Sequence, residues 1–187
     1  MKAKSVAAGY DHSLFLLDDG SVQAAGWNFH GQLGDSTVDS QVAPGTIYGK
    51  ADNAVQISAG YDFSYILTAS GQVWAAGYNM DSQLGDGTTE TRLTFVSTLA
   101  TTKAVAAGRS HGLFLRHDGR VFAAGRNYDG ELGDGLQEPM EDNIKDGLHK
   151  PTSHEDGLHA PMEAGNFKNG LHKRAASSKL AIRCVLP

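Results

Sequence analysis

The sequence predicts an all-β protein built from repeated, four-stranded, propeller-like blades, and three observations carry that expectation. The first is a stretch stated three times: Val6–Asp35 returns at Ile57–Asp86 and again at Val105–Asp134. The second is a fixed glycine spacing. Gly9, Gly20, Gly26 and Gly34 are matched by Gly60, Gly71, Gly77 and Gly85, and then by Gly108, Gly119, Gly125 and Gly133, with intervals of 11, 6 and 8 residues in every copy. Glycines held in register across copies mark backbone positions that a side chain would disturb, so all twelve are assigned to the structural frame. The third is the period: Gly9, Gly60 and Gly108 lie 51 and 48 residues apart, lengths that suit a four-stranded blade.

Within the first copy, Val6-Ala7-Ala8 ends at Gly9 and reads as a short strand. Ser13-Leu14-Phe15-Leu16-Leu17 is too short for a stable helix and too apolar for a surface loop, so it reads as a buried strand. Asp18-Asp19-Gly20 turns the chain, as Ser70-Gly71 and Asp118-Gly119 do later, with positive φ supplied for a tight hairpin. Val22 to Ala25 returns as the partner strand. The paired alanines before Gly26, Gly77 and Gly125 place small residues where blades must approach closely. Next comes Gly-x-Asn-x-x-x-x-Leu-Gly-Asp, in which Asn28, Asn79 and Asn127 bond their own turn while Leu33, Leu84 and Leu132 pack inward. The polar connections Ser36–Gln56 and Gly87–Ala104 each add an outer strand or loop.

Composition agrees with this picture and narrows the function classes. Glycine makes up 23 of 187 residues against 5 prolines, which fits a β protein rich in turns. A net charge of -5 argues against a generally basic nucleic-acid binder. A single cysteine, Cys184, provides no disulfide framework. No leader of signal-peptide pattern, membrane-length apolar run or Asn-x-Ser/Thr sequon is found, so no membrane partner and a cytoplasmic or nuclear setting are expected.

The run Gly-x-x-His-Ser/Gly-Leu-Phe-Leu…Asp-Gly-x-Val…Ala-Gly-x-Asn…Gly-x-Leu-Gly-Asp resembles the regulator of chromosome condensation repeat. The resemblance covers residues 1–135 as three repeats (about 1–50, 51–100 and 101–135), and it departs at two places. Phe63 replaces the histidine of His12 and His111, and Ser82 replaces the glycine of Gly31 and Gly130. The family builds seven-bladed propellers, so the resemblance implies a partial β-propeller of three four-stranded antiparallel blades. With three blades the outer faces of the first and third are expected to expose apolar area, which makes a fragment or a self-associating chain the expectation.

From Leu136 the glycine pattern stops. Residues 136–187 carry Asp-Gly-Leu-His, Asp-Gly-Leu-His and Asn-Gly-Leu-His, then a basic end, and are expected to form a low-complexity, mostly disordered tail. His154-Glu155-Asp156-Gly157-Leu158-His159 lacks the histidine spacing of a zinc helix, and no metal site or cofactor is expected. Gly108-Arg109-Ser110-His111-Gly112 matches a nucleophile elbow in letters only. The same positions read Gly9-Tyr10-Asp11-His12-Ser13 and Gly60-Tyr61-Asp62-Phe63-Ser64, so Ser110 is a variable loop residue. His12 and His111 are expected to fix a turn by bonding a backbone carbonyl.

Positions that vary between copies are free to recognise something. They fall in two loops: Tyr10 and Asp11, Tyr61 and Asp62, then Arg109; and Trp27, Phe29 and His30, Tyr78 and Met80, then Arg126 and Tyr128. Aromatic and arginine residues of this kind anchor protein interfaces, and they also pack between neighbouring blades. The expected function is a non-catalytic protein-protein interaction module with a protein partner. The resemblance adds two alternatives: guanine-nucleotide exchange on a small Ran-like GTPase, or substrate recruitment within a HECT-type ubiquitin ligase.

Overall fold

A computed structural model describes residues 2–48 and 53–133. The expectations for residues 136–187 and for Asp134 fall outside these. Eleven strands and no helix are found among the described residues: β1 (Ala3–Ala8), β2 (His12–Leu17), β3 (Val22–Gly26), β4 (Gln41–Tyr48), β5 (Ala54–Ala59), β6 (Phe63–Thr68), β7 (Val73–Gly77), β8 (Arg92–Ser97), β9 (Thr102–Ala107), β10 (His111–Arg116) and β11 (Val121–Gly125). They form antiparallel sheets in chain order, β1-β2-β3-β4, β5-β6-β7-β8 and β9-β10-β11. Each sheet is one blade of a partial β-propeller. A fourth strand for the third blade would lie beyond Gly133, outside the described residues. The outer strands β4 and β8 are mostly exposed, and Pro44 is accommodated in β4 because an edge strand has backbone groups without ladder partners.

The hairpin between the second and third strands uses one device three times. Gly20 N donates to Leu17 O (3.0 Å) and Leu17 N donates to Ser21 O (2.9 Å), closing a three-residue loop. Only the glycine takes positive φ, at 79° for Gly20, 84° for Gly71 and 85° for Gly119. The turn is therefore a three-residue loop ending in a left-handed residue, and the residue before the glycine has no need of a positive φ. In the next turn Asn28 Oδ1 accepts from Leu33 N (2.9 Å) while its Nδ2 donates to Asp35 Oδ1 (3.0 Å); Asn79 repeats both bonds with Leu84 and Asp86.

The core lies between blades. In β6 every residue is buried, because its two faces serve two joints. Ile66 packs with Leu14, Leu16, Leu33 and Ile57 at the first joint, whereas Phe63, Tyr65 and Leu67 pack with Val105, Phe114 and Ala124 at the second. Gly34 faces Ala76 across the first joint and Gly85 faces Ala124 across the second, so the small-residue step does mark close approach of blades. Gly9, Gly60 and Gly108 have a different cause from the one expected of turn glycines. They do not take positive φ; a side chain there would overlap the ring of His12, Phe63 or His111, which lies against the glycine.

Polar groups distinguish the two joints. At the first, Ser64 Oγ donates to Gln32 O (2.7 Å) and lies 2.9 Å from His12 Nε2. With its one hydrogen committed, Ser64 accepts from His12 Nε2–H, which leaves Nδ1 as the unprotonated nitrogen, buried without a partner. The expected carbonyl partner of His12 is thus corrected to a hydroxyl on the neighbouring blade. At the second joint Phe63 replaces the histidine and Gly112 replaces the serine. The Tyr65 hydroxyl occupies the space so vacated and donates to Gln83 O.

Two consequences for stability follow from these contacts. Ser82 holds a φ of 58° where Gly31 and Gly130 hold 74° and 77°. A left-handed residue with a side chain costs roughly 1 kcal/mol or more, so Ser82→Gly is expected to raise stability by about 1 kcal/mol, read as a higher denaturant midpoint at unchanged slope. Burial pulls the His12 imidazole from 6.5 down to about 4, against a weaker upward pull from Asp11. Because the unfolded chain binds that proton more readily, the contribution is complete above pH 6.5 and is lost as pH falls towards 4, a change of roughly 3 kcal/mol. Urea titrations at pH 7.5 and pH 4.5 should show this loss, and His12→Phe, the residue already present at position 63, should remove most of it.

Candidate functional site

The loop between the first and second strands of each blade and the loop after the third strand meet at one end of the sheets. Main-chain bonds tie them: Trp27 N to Asp11 O (2.8 Å), Tyr78 N to Asp62 O (2.9 Å) and Arg126 N to Ser110 O (2.9 Å). Neighbouring blades are tied in the same way, Tyr10 N donating to Gly60 O (3.3 Å) and Tyr61 N to Arg109 O (3.0 Å). Short loops held by their own backbone present side chains in fixed positions.

On this frame Tyr10, Tyr61 and Arg109, one from each blade, form a row. The Tyr10 and Tyr61 rings stack at 4.2 Å with an interplanar angle of 20°, and the Arg109 guanidinium carbon lies 5.1 Å from the centroid of Tyr61. Tyr10 remains 65% exposed. A second cluster stands beside the row: Trp27 against Phe29 (6.0 Å), Phe29 edge-on to His30 (5.3 Å), and His30 edge-on to Tyr78 of the next blade (5.0 Å). Trp27, Phe29, Met80 and Tyr128 are exposed, and Arg126 lies 4.8 Å over the Tyr128 ring.

The acidic candidates separate. Asp11 is exposed, whereas Asp62 is half-buried, accepting from Gln32 Nε2 (3.2 Å) and lying 3.8 Å from His30 Nε2. Burial pushes the Asp62 carboxyl above the usual aspartate range, against a pull from His30 and with a push from Asp11. Burial likewise raises the Tyr61 hydroxyl, with Tyr10 adding to the effect. The candidate residues thus do two things at once: they pack against the adjoining blade with one side and offer the other to solvent.

Gln32 and Gln83 were absent from the sequence-derived candidates. Both are buried, and their Oε1 atoms accept from His30 N and Asp81 N at 3.0 Å. Their recurrence one residue before Leu33 and Leu84 was the available signal. The His12–Ser64 contact has the distance of a base–nucleophile pair but the wrong direction, since the serine hydrogen points to Gln32 O. Both residues are also closed to solvent. Ser110 sits in a loop between strands, as expected from its counterparts.

Comparison with known proteins agrees with this architecture. The sequence pattern of the regulator of chromosome condensation (RCC1) repeat matches residues 3–32, 54–83 and 103–131, and a second pattern of the same repeat matches 19–67 and 70–115. A luciferase helical bundle domain pattern matches 123–172; it begins within β11, and most of it lies outside the described residues. The zebrafish (Danio rerio) E3 ubiquitin-protein ligase MYCBP2 is 33% identical over 85 residues, 46% of this chain and 2% of that protein. The mouse (Mus musculus) X-linked retinitis pigmentosa GTPase regulator is 38% identical over 86 residues, 45% of this chain and 9% of that protein. The structure of Prp20p from Saccharomyces cerevisiae, described with its binding properties to Gsp1p and histones, superposes with a TM-score of 0.66 at 21% identity, over 72% of this chain and 35% of that one. This chain therefore spans a minor part of each. With its three matched repeats and their blade geometry, the chain belongs to the regulator of chromosome condensation (RCC1) repeat family.

Proposed function

We propose that the chain is a non-catalytic protein-interaction module whose partner protein docks on the loop end of the blades. One observation carries this reading: Tyr10, Tyr61 and Arg109 form a stacked row, exposed at Tyr10 and Arg109 and half-buried at Tyr61, beside Trp27, Phe29 and Tyr78 on loops fixed by main-chain bonds. Rigid aromatic and arginine side chains lose little freedom on binding and are the residues that dominate interface energies. The charge on this end is mixed, with Asp11 and Asp62 near Arg109 and His30, which suits a protein surface better than a polyanion. Cytoplasm or nucleus is the compartment this reading expects.

Guanine-nucleotide exchange is the second reading, favoured by the likeness to a protein named as a GTPase regulator. A substrate-recruiting role is a third, resting on the likeness to a ubiquitin ligase of which 2% is covered. A Gsp1p-type GTPase and core histones are the first probes, because the Prp20p structure is described with both. Binding should be measured by calorimetry for the wild-type chain and for Tyr10→Ala/Phe29→Ala and Trp27→Ala/Tyr78→Ala/Arg126→Ala. The expected outcome is a tenfold or greater loss of affinity, about 1.4 kcal/mol or more, while unfolding stays cooperative with a midpoint lowered only by the lost contacts to the adjoining blade. Equal affinity in all three chains, or pull-downs recovering no protein that the variants lose, would overturn the reading. Release of a fluorescent guanine nucleotide at the intrinsic rate would eliminate exchange while leaving binding intact.

A further inference from the structure

At the loop end of the blades, charge is sorted by joint. Where the second blade brings Tyr61, Asp62 and Tyr78 to its joint with the first, the third blade brings Arg109, Ser110 and Arg126 to its joint with the second. The second joint therefore holds arginines of its own. Arg109 lies 5.1 Å from the Tyr61 centroid, and Arg126 lies 3.5 Å from Glu131 Oε1 and 3.9 Å from Asp129 Oδ2. The first joint holds none. Among the described residues of the first two blades the lysines and arginines are Lys2, Lys4 and Arg92. Both lysines lie at the start of β1, at the opposite end, and Arg92 is committed to Asp86 and Glu90.

What the first joint does hold is a carboxylate set among aromatic rings. Asp62 Oδ1 accepts from Gln32 Nε2 (3.2 Å), whereas Oδ2 makes no hydrogen bond among the described residues and lies 3.8 Å from His30 Nε2. Burial raises this carboxyl; His30 pulls it down, and Asp11 of the first blade pushes it up. Two carboxylates thus approach each other across the joint without a lysine or arginine between them. Beside them His30 stands edge-on to Phe29 at 5.3 Å and to Tyr78 at 5.0 Å. Phe29 is 63% exposed, and this openness belongs to the repeat position: Met80, its counterpart in the blade flanked on both sides, is 60% exposed.

We propose that the first joint is the docking point for an arginine side chain of the partner protein, its guanidinium on the Asp62 carboxylate and its flat face and stem against Phe29 and Tyr78. The arginine belongs to the partner that docks on the loop end, and its assignment rests on that reading. Charge complementarity selects a cation, since a carboxylate short of counter-charge attracts one and Asp11 strengthens the field. The rings select among cations. A guanidinium is planar, is more weakly hydrated than an ammonium, stacks on aromatic faces and donates from a fork of N–H groups, whereas lysine offers a compact point charge. The molecule already shows this fit once, with Arg109 over Tyr61.

NMR titration of the isotope-labelled full chain with the peptide acetyl-Gly-Gly-Arg-Gly-Gly-amide tests this. Saturable shifts should centre on Phe29, Asp62 and Tyr78. The citrulline peptide, of the same shape without the charge, should bind about tenfold more weakly, and the lysine peptide more weakly than the arginine one. Asp62→Asn keeps an acceptor for Gln32 and should weaken the arginine peptide about tenfold, its dispersed spectrum showing that the fold is retained. Asp18→Asn, at the opposite end, should leave the affinity unchanged. No saturable shift, citrulline or lysine bound as well as arginine, or Asp62→Asn without effect would each overturn the proposal. The two readings fail separately. A partner protein that is lost with Tyr10→Ala/Phe29→Ala but not with Asp62→Asn overturns the arginine assignment and keeps the loop interface; peptide bound through Asp62 with no protein recovered in pull-downs overturns the interface and keeps the arginine site.

Discussion

Burial of each blade against its neighbour is the constraint from which the rest of this structure follows. A sheet with apolar side chains on both faces cannot satisfy either by itself, and β6, buried along its whole length, shows what satisfaction requires. Each fully buried Leu, Ile or Phe contributes roughly 1.5–3 kcal/mol, and the first joint alone gathers Leu14, Leu16, Leu33, Ile57 and Ile66. Close packing of sheets then dictates the small residues. A side chain at Gly34 would strike the Phe95 ring of the next blade, Gly85 is called for by its positive φ rather than by crowding, and Gly9, Gly60 and Gly108 leave space for a ring.

The same joints arrange the loops. Because Tyr10 N bonds Gly60 O and Tyr61 N bonds Arg109 O, equivalent loops of successive blades are set side by side, and their side chains stack as a consequence. The stacked row is thus a by-product of blade packing in its position and a product of local variation in its chemistry: tyrosine in two copies, arginine in the third. His30 joins the two loop sets by touching Tyr78 and approaching Asp62 on the neighbouring blade.

Features with local causes were legible in the sequence. The hairpin glycines, the asparagine-centred turns and the buried Leu33, Leu84 and Leu132 recur at fixed offsets because their partners lie within a few residues. The partner of His12 lies 52 residues away, so the letters around it could suggest a hydrogen bond but not the hydroxyl of Ser64 that makes it. Gly112 likewise reads as a neutral departure from Ser13 and Ser64 until Tyr65 is seen beside it. The outer strands were only half legible, since exposed edge residues such as Val42 and Leu93 alternate weakly and Pro44 interrupts the pattern. The row of Tyr10, Tyr61 and Arg109 was identified residue by residue, but stacking of one on the next depends on how blades are set together.

Tyr65 and Gly112 also restrict which faces can pack together. A chain of similar units risks docking the wrong pair while it folds, and misassembly between like repeats is a common trap. A serine in place of Gly112 would overlap the Tyr65 hydroxyl, so the second unit accepts the third and rejects the serine-bearing face of the first or of another second unit. A single missing side chain therefore acts as an address label, distinguishing units whose apolar surfaces alone would treat them as equivalent.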